Sequence, residues 1–273
     1  MRLWLIGEGI SGSPSPAMQT AAMAARGIAG AYVLRQAPAA QLPALMGELR
    51  SGAARGANVT IPHKFAAAEM CDALEGDAAV LRAVNTISVE GGRLIGDNTD
   101  ARGFELALRA DGLWPGPGCE AVVVGAGGGA AAVVLALSRA PAGRISVAAR
   151  RPAAADEMVE RLGTVVGVTA VGWGGAGMAA AVATAAIVIN ATPGGLPVLP
   201  FSVEQLAPAA TVADLRYRPR PVDVVVAARA AGRRACDGLE MLLQQGMLSF
   251  RRWTGCEPPW PEARAALRDA VGG

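Results

Sequence analysis

The chain has 273 residues, with 25 basic and 23 acidic side chains, a net charge of +2, four cysteines and one histidine. A chain of this length can form two ordinary domains whose cores need no disulfide or metal, and its near-balanced charge excludes the basic surface that nucleic-acid binding requires. Charged residues interrupt the apolar stretches before they reach membrane-spanning length, and no cleavage site follows the apolar residues 2–6, so we expect a cytoplasmic chain that binds small molecules and no membrane. The cysteines form no CxxC pair, which argues against a metal site.

The N-terminal part of the chain predicts an α/β arrangement. Strand-like and helix-like segments alternate at residues 2–6, 17–26, 31–34 and 39–49. A β-branched run over residues 57–61 ends at Pro62, and a strand pair at residues 83–89 and 93–95 flanks two glycines. We expect these short strands to form the sheet of a first domain.

A second α/β series follows a turn-rich break at residues 115–118. Its apolar runs, separated by alanine-rich helical stretches, lie at residues 121–124, 144–148, 186–189, 211–215 and 233–236. Strands that alternate with helices predict a parallel sheet covered on both faces, and we place the domain change around residues 101–113. An amphipathic helix is predicted over residues 239–250, and a last helix is predicted from residue 261.

A glycine-rich turn follows the first strand of the second series, with Gly125, Gly127 and Ala130 at the three positions of a dinucleotide-binding fingerprint. Gly125 permits the tight turn, Gly127 lets backbone N–H groups approach a pyrophosphate, and Ala130 allows the helix to pack closely on the strand. The alternative is a tight βα turn that binds nothing. The pattern favours a dinucleotide bound by Gly125, Ala126, Gly127, Gly128, Gly129 and Ala130.

The residues after the next strand indicate which dinucleotide binds. An NAD enzyme presents an acid there to the ribose 2′-hydroxyl, but this chain has Ala149, Arg150 and Arg151. Two guanidinium groups suit the 2′-phosphate of NADP through bidentate, charge-assisted hydrogen bonds, and one of them can also stack on the adenine. The pattern favours NADP, the alternative being two arginines that are merely solvated at the sheet edge.

Lys64 is the only lysine in the chain. Its ammonium can take part in proton transfer, which a permanently charged guanidinium cannot do. Thr60, Lys64, Asn85 and Asp100 fall in polar segments at predicted strand ends, where open α/β sheets bind their ligands. An ammonium beside a carboxylate can pass a proton to a developing alkoxide, and with a nicotinamide hydride this is ketone–alcohol interconversion. The residues alone leave a second interpretation open, a salt bridge between domains formed by Lys64 and Asp100.

Eight ordered segments, spread over nearly the whole chain, make the sequence similar to the shikimate dehydrogenase family. They are residues 13–16 (SPSP), 58–64 (NVTIPHK), 83–86 (AVNT), 98–100 (NTD), 125–130 (GAGGGA), 190–193 (NATP), 214–217 (DLRY) and 237–245 (DGLEMLLQQ). The resemblance implies an α/β fold with an N-terminal substrate-binding domain, residues 1–101 with 238–273, and a doubly wound Rossmann-type NADP-binding domain, residues 102–237. It also implies C-terminal helices that pack back on the first domain, in a cytoplasmic monomer or homodimer.

The family's reaction is the NADP-dependent reduction of 3-dehydroshikimate to shikimate, on the route to the aromatic amino acids. By resemblance, Lys64 and Asp100 match its catalytic pair, and Ser13 and Ser15 match residues that bind the substrate carboxylate. The ring hydroxyls of the substrate are matched by Thr60, Asn85, Asp100 and Gln245. Tyr217 and Gly238 match the nicotinamide side of the cleft, and Thr192 begins a loop beneath the cofactor. Without the resemblance, Ser13 and Ser15 suit a helix N-cap before Ala17, and Gln245 suits a solvated helix residue.

The chain departs from the family pattern at several positions. Gly9, Gly12 and Pro14 alter the loop that carries the two serines, Gln19 replaces a common histidine, and Ala149 stands where asparagine is usual. Lys64 and Asp100 are both present, which favours an enzyme over a catalytically idle NADP-binding regulator. The altered loop leaves quinate and an aminated shikimate open as alternative substrates.

Overall fold

The computed structural model describes residues 1–140, 143–162 and 167–272, and these residues form two compact units. One unit contains residues 1–103 and 242–273, and the other contains residues 104–241. Within the described residues, none of the helices combines the length and the apolar character needed to cross a bilayer.

The first unit is built on a mixed sheet of six strands, in the order β2-β1-β3-β5-β6-β4. The strands are β1 (Arg2–Gly7), β2 (Ala31–Gln36), β3 (Gly56–Val59), β4 (Ala73–Leu74), β5 (Thr86–Glu90) and β6 (Arg93–Asp97). The helices between them are α1 (Ser15–Ala25), α2 (Leu42–Arg50), α3 (Lys64–Met70) and α4 (Gly76–Leu81), and α5 (Asp100–Ala110) follows β6. β1 is parallel to β2 and β3, whereas β5 is antiparallel to β3 and β6. The carboxyl ends of β1, β3 and β6 therefore lie at the same edge of the sheet as the start of β5.

The second unit is a parallel sheet of six strands, in the order β12-β11-β10-β7-β8-β9. The strands are β7 (Glu120–Val124), β8 (Arg144–Ala148), β9 (Val168–Val171), β10 (Ile187–Asn190), β11 (Thr211–Asp214) and β12 (Arg234–Cys236). The helices are α6 (Gly128–Arg139), α7 (Pro152–Arg161), α8 (Gly175–Thr184) and α9 (Asp223–Ala230). The order reverses between β7 and β10, which is the Rossmann topology, and ligands of such sheets bind outside the strand ends at this point.

Buried apolar strands explain why the second sheet is predicted well from the sequence. Val122, Val188 and Val212, on three neighbouring strands, are each at most 1% exposed and belong to one apolar core. Because helices cover both faces of a parallel sheet, its strands read as continuous apolar runs. The predicted doubly wound fold is confirmed.

Two C-terminal helices, α10 (Leu239–Thr254) and α11 (Trp260–Val271), pack on the elements of the first unit. The Trp253 indole donates a hydrogen bond to the Ile87 carbonyl in β5, at 2.9 Å. The Gln19 side chain in α1 donates to the Gly246 carbonyl in α10, at 2.8 Å. The predicted return of the C-terminal helices to the first domain is confirmed.

Local backbone contacts override the sequence pattern at the start of β5. The predicted strand 83–89 begins three residues later, at Thr86. Arg82 ends α4 in the left-handed conformation, with φ of 50°, and the Val84 N–H donates to the Lys64 carbonyl at 2.8 Å instead of joining the strand ladder. The short elements β4, β9, α3 and α4 were not predicted, because none is long enough to show a clear apolar period.

Candidate active site

The register of the first sheet brings three polar segments of the chain to one edge. Thr86, at the start of β5, lies opposite Asn58 in β3 and opposite Asp97 in β6. The segments that follow these two strands, residues 60–64 and 98–100, therefore begin beside the start of β5. We call this group of segments the polar edge.

Lys64 and Asp100 meet at the polar edge as a close ion pair. Each is the first residue of a helix, α3 and α5 respectively, and the Lys64 Nζ lies 2.5 Å from the Asp100 Oδ2. The side chains are 13% and 6% exposed. Both residues belong to the first unit, so the interpretation of the pair as a salt bridge between domains is wrong. The position of Asp100 also suits a carboxylate, since a helix N-terminus stabilises negative charge.

Asn85 holds the other oxygen of the Asp100 carboxylate. Its Nδ2 donates to the Asp100 Oδ1 at 2.8 Å and to the Gln245 Oε1 at 3.3 Å. Gln245 is half-buried, and its Nε2 donates to the Leu242 carbonyl at 2.8 Å, so it is not a solvated helix residue. The structure thus brings Lys64, Asn85, Asp100 and Gln245 into one hydrogen-bonded group.

Thr60 and Ser13 lie in the loops that follow the parallel strands β3 and β1, and Ser15 begins the helix after the second of these loops. Thr60 is half-buried, and its N–H donates to the Ile6 carbonyl at 2.9 Å. Ser15 begins α1 and is buried, and its N–H donates to the Ser13 Oγ at 3.3 Å. The N-cap of α1 is Pro14, with no side-chain cap, so the interpretation of Ser15 as an N-cap is wrong. Among the contacts that the structure describes, none joins either serine to Lys64 or Asp100.

The glycine-rich turn of the second unit has the geometry of a phosphate cradle. Gly125 has φ of +126°, and a Cβ there would lie 2.8 Å from the Ala191 carbonyl oxygen, so only glycine fits. A Cβ on Gly127 would meet open space, and no side chain caps the N-terminus of α6, which leaves backbone N–H groups for an anion. Ala130 is fully buried, as close helix-to-strand packing requires. These residues fit a pyrophosphate.

Arg150 and Arg151 follow β8 and are both exposed, while Ala149 is buried. Among the residues that the structure describes, neither guanidinium has a hydrogen-bond or ion-pair partner. Two exposed cations without a bound acid, beyond the strand next to the glycine-rich turn, fit a ribose 2′-phosphate.

Thr192, Tyr217 and Gly238 belong to loops beyond the ends of β10, β11 and β12. The Thr192 hydroxyl donates to the Asn190 Oδ1 at 2.8 Å, which closes the turn after β10. A Cβ on Gly238 would lie 2.0 Å from the Leu215 carbonyl oxygen, so this close approach of two loops requires glycine. Tyr217 is half-buried.

Sequence reasoning missed the ion pairs that brace these loops. The Arg216 Nη2 lies 2.7 Å from the Asp214 Oδ2 and 2.6 Å from the Asp223 Oδ1, and Asn190 donates to the Asp214 Oδ2 at 2.9 Å. Burial acts most strongly on Asp223 and would raise its pKa, but the hydrogen bond and charge of Arg216 and the backbone hydrogen bonds at Val224 and Leu196 together outweigh it, so the pKa is lowered. The sequence signal for these ion pairs is an acid at the end of a buried strand, two residues before an arginine.

Comparison with known proteins shows which family the chain belongs to. A model described as the shikimate dehydrogenase substrate binding domain matches residues 5–87, and one described as the shikimate 5′-dehydrogenase C-terminal domain matches residues 238–268. A shikimate dehydrogenase (NADP(+)) of Rubrobacter xylanophilus is 42% identical over 268 residues, which cover 96% of this chain and 94% of that protein. The chain belongs to the shikimate dehydrogenase family.

Solved structures of shikimate dehydrogenases share the whole fold. The crystal structure of the Thermus thermophilus shikimate 5-dehydrogenase, in complex with NADP(H) and shikimate, has a TM-score of 0.88 and 36% identity, covering 99% of each chain. A quinate/shikimate dehydrogenase (NAD(+)) of Corynebacterium efficiens is 37% identical, over 97% of this chain and 96% of that protein. The resemblance to the shikimate dehydrogenase family and the two-domain α/β fold predicted from it are confirmed.

Proposed function

We propose that this chain is an NADP-dependent shikimate dehydrogenase that interconverts 3-dehydroshikimate and shikimate, and that Lys64 and Asp100 act at the reacting oxygen. The observation that carries the proposal is the partly buried pair in which the Lys64 Nζ lies 2.5 Å from the Asp100 Oδ2. NADP(+) shikimate dehydrogenases at 38–42% identity over nearly the whole chain support the same reaction. The product is a precursor of the aromatic amino acids.

Reduction of a ketone adds a hydride to the carbonyl carbon and a proton to the oxygen. NADPH, when bound, supplies the hydride. Lys64 donates the proton from its ammonium as negative charge develops on the oxygen, and its positive charge stabilises that oxygen beforehand. Asp100 accepts a hydrogen bond from the ammonium and is itself held by Asn85, so the pair keeps its orientation.

The first unit holds the substrate in this proposal. The Ser13 and Ser15 hydroxyls donate to the carboxylate in charge-assisted hydrogen bonds; Ser13 is half-buried and Ser15 is buried. Thr60, Asn85 and Asp100 at the polar edge, together with Gln245 in α10, address the ring hydroxyls. Support comes from the hydrogen bonds that already place Asn85 and Gln245 beside the ion pair.

The second unit holds NADP in this proposal. The pyrophosphate lies on the turn from Gly125 to Ala130, at the N-terminus of α6. The 2′-phosphate pairs with Arg150 and Arg151, and the loops of Thr192, Tyr217 and Gly238 face the nicotinamide. The open space at Gly127 and the unpartnered state of the two guanidiniums, within the described part of the chain, support this placement.

Shikimate is favoured over quinate as the substrate, since the NADP(+) relatives at 38–42% identity are shikimate dehydrogenases and the quinate/shikimate dehydrogenase of Corynebacterium efficiens uses NAD(+). We place the enzyme in the cytoplasm, which four free cysteines support because thiols persist in reducing compartments.

We propose a monomer or homodimer, because the exposed large apolar side chains are scattered over separate elements. They are Val33, Ile61, Val80, Val198 and Val226.

The test is steady-state oxidation by the purified chain of shikimate and of quinate, each with NADP and with NAD, followed by the absorbance of the reduced cofactor. The expected result is the highest kcat/KM for shikimate with NADP. A preference for quinate with NAD would contradict the assignment, and turnover in none of the four combinations would favour a catalytically idle regulator.

A further inference from the structure

A buried line of hydrogen bonds runs from the core of the first unit to the catalytic carboxylate. Tyr32 donates from its hydroxyl to the Asn58 Oδ1 at 2.8 Å, and the Asn58 Nδ2 donates to the Ser249 Oγ at 3.0 Å. The Ser249 and Thr86 hydroxyl oxygens lie 2.8 Å apart, and the Thr86 hydroxyl donates to the Asn85 Oδ1 at 2.8 Å. Thr86 and Ser249 are 0% exposed, so water does not compete for these bonds.

The direction of the first two bonds follows from the groups that make them. Burial raises the pKa of the Tyr32 hydroxyl, so the phenol stays protonated and acts as a donor. A donor facing one end of the Asn58 amide fixes the oxygen at that end and the NH2 group at the other. The NH2 group of Asn58 therefore donates, and Ser249 accepts.

Ser249 then has one proton and three neighbouring oxygens that can accept it. The Thr86 Oγ1 lies at 2.8 Å, the Gln245 carbonyl oxygen at 3.0 Å and the Thr99 Oγ1 at 3.2 Å. The shortest of these contacts favours donation from Ser249 to Thr86. Since a hydroxyl has one proton, Thr86 passes its own to the Asn85 Oδ1.

The last bonds of the line decide how Asn85 meets the carboxylate. Two donors, the Thr86 hydroxyl and the Thr99 N–H at 2.8 Å, both point at the Asn85 Oδ1. An amide held by its oxygen in this way presents its NH2 group to Asp100, and the Nδ2 donates to the Oδ1 at 2.8 Å. The Asp100 Oδ2 is left for the Lys64 ammonium.

We propose that Thr86 and Ser249 are positioning residues for the reaction, which through Asn85 set the orientation of the Asp100 carboxylate toward Lys64. The inference rests on the proposed function, because it assumes that Lys64 and Asp100 act on the substrate. Neither residue touches the reacting atoms in this assignment. Their effect reaches the reaction through the orientation of one amide group.

The test compares Thr86→Val, which keeps the shape of the side chain and removes the hydroxyl, with Thr86→Ser, which keeps the hydroxyl. The expected kcat for Thr86→Val is about three- to ten-fold below wild type, as for the loss of one neutral hydrogen bond, with the KM for NADPH unchanged. Thr86→Ser should stay within about two-fold of wild type by the same reasoning. Ser88→Ala is the matched control, since Ser88 lies two residues along β5 and contacts Arg252 instead of the line.

A double-mutant cycle separates positioning from a general loss of stability. If Thr86 acts through Asn85, Thr86→Val lowers kcat in the wild-type background and changes nothing further in the Asn85→Ala background. Ser249→Ala repeats the measurement from the other end of the 2.8 Å contact, should Thr86→Val fold poorly. The inference would be overturned if Thr86→Val and Ser249→Ala both keep the wild-type kcat. It would also be overturned if the losses of kcat from Thr86→Val and Asn85→Ala multiply in the double variant. In either case, a wild type that oxidises shikimate leaves the proposed function standing. A wild-type chain that does not oxidise shikimate would overturn both.

Discussion

Replacing Lys64 by methionine removes the ammonium at the polar edge and keeps most of the apolar stem. We expect kcat to fall by about 10²–10⁴-fold, which is the usual contribution of a positioned proton donor. The neighbouring His63 does not replace it, because the histidine is buried and its Nε2 lies 2.8 Å from the Ala37 carbonyl oxygen. The KM for NADPH should stay near the wild-type value, since Lys64 lies outside the unit that carries the glycine-rich turn.

The same change has a stability cost that the geometry bounds. Loss of a hydrogen bond between charged groups costs about 1.5–3 kcal/mol, and breaking a fully buried pair costs about 3–5 kcal/mol. The lower range applies here because Asp100 keeps the hydrogen bond from Asn85 and its place at the start of α5. At about 2–4 °C per kcal/mol, the melting temperature of Lys64→Met should fall by about 3–12 °C.

The exposed pair of Arg50 and Asp72 supplies a matched control. Its nitrogen and oxygen also lie 2.5 Å apart in the first unit, but the side chains are 43% and 30% exposed. Arg50→Met should lower the melting temperature much less than Lys64→Met and leave kcat unchanged, because solvent screens an exposed pair. Steady-state kinetics and thermal unfolding of both variants make the comparison. Near-normal turnover of Lys64→Met would refute the role of Lys64, and equal losses of stability in the two variants would refute the assignment of its pair as desolvated.

Three further predictions concern the cofactor, the substrate and pH. Arg150→Ala should raise the KM for NADPH about ten-fold or more and that for NADH little, because a hydrogen bond to the 2′-phosphate is worth about 1.5–3 kcal/mol; equal losses in steady-state kinetics would show a structural role. Ser13→Ala and Ser15→Ala should each raise the KM for shikimate about ten-fold or more with smaller changes in kcat, and unmoved KM values would mean that the carboxylate binds elsewhere. Burial raises the pKa of Asp97 above 3.8, against its hydrogen bond from the Asn98 N–H and the charge of Arg252. The folded state then keeps this proton to higher pH than the unfolded chain, so the free energy of unfolding falls as pH rises above that value. In urea unfolding, the free energy of unfolding of Asp97→Asn should rise relative to that of the wild type between acidic and neutral pH. A difference between the two that does not change with pH would contradict the reasoning.

The sequence predicted the parts of the fold in which local pattern and burial agree. β8 was predicted at its observed bounds, residues 144–148, because the strand is apolar and is covered on both faces. The edge strand β9 was missed because its four residues, Val168–Val171, are only partly buried or exposed and carry no such run. β5 was predicted from residue 83 and begins at Thr86, because tertiary hydrogen bonds hold the residues before it.

The candidate site was likewise predicted only in part from the sequence. Lys64 stood out as the only lysine, and the strand-end motifs indicated Asn85 and Asp100 as its neighbours. Thr86 lies in the AVNT segment, but the sequence did not connect it with Ser249, because a buried hydroxyl cannot be told from a solvated one by residue type alone. Their connection depends on the antiparallel register of β5 and on the packing of α10, which are tertiary facts.

The single lysine gives the molecule a built-in reporter. A chain produced with isotope-labelled lysine carries its label at one position only, and that position is the ammonium beside Asp100. The side-chain resonance of Lys64 then has no competing lysine signal. A shift of this resonance on addition of substrate or cofactor can therefore be assigned to Lys64 directly.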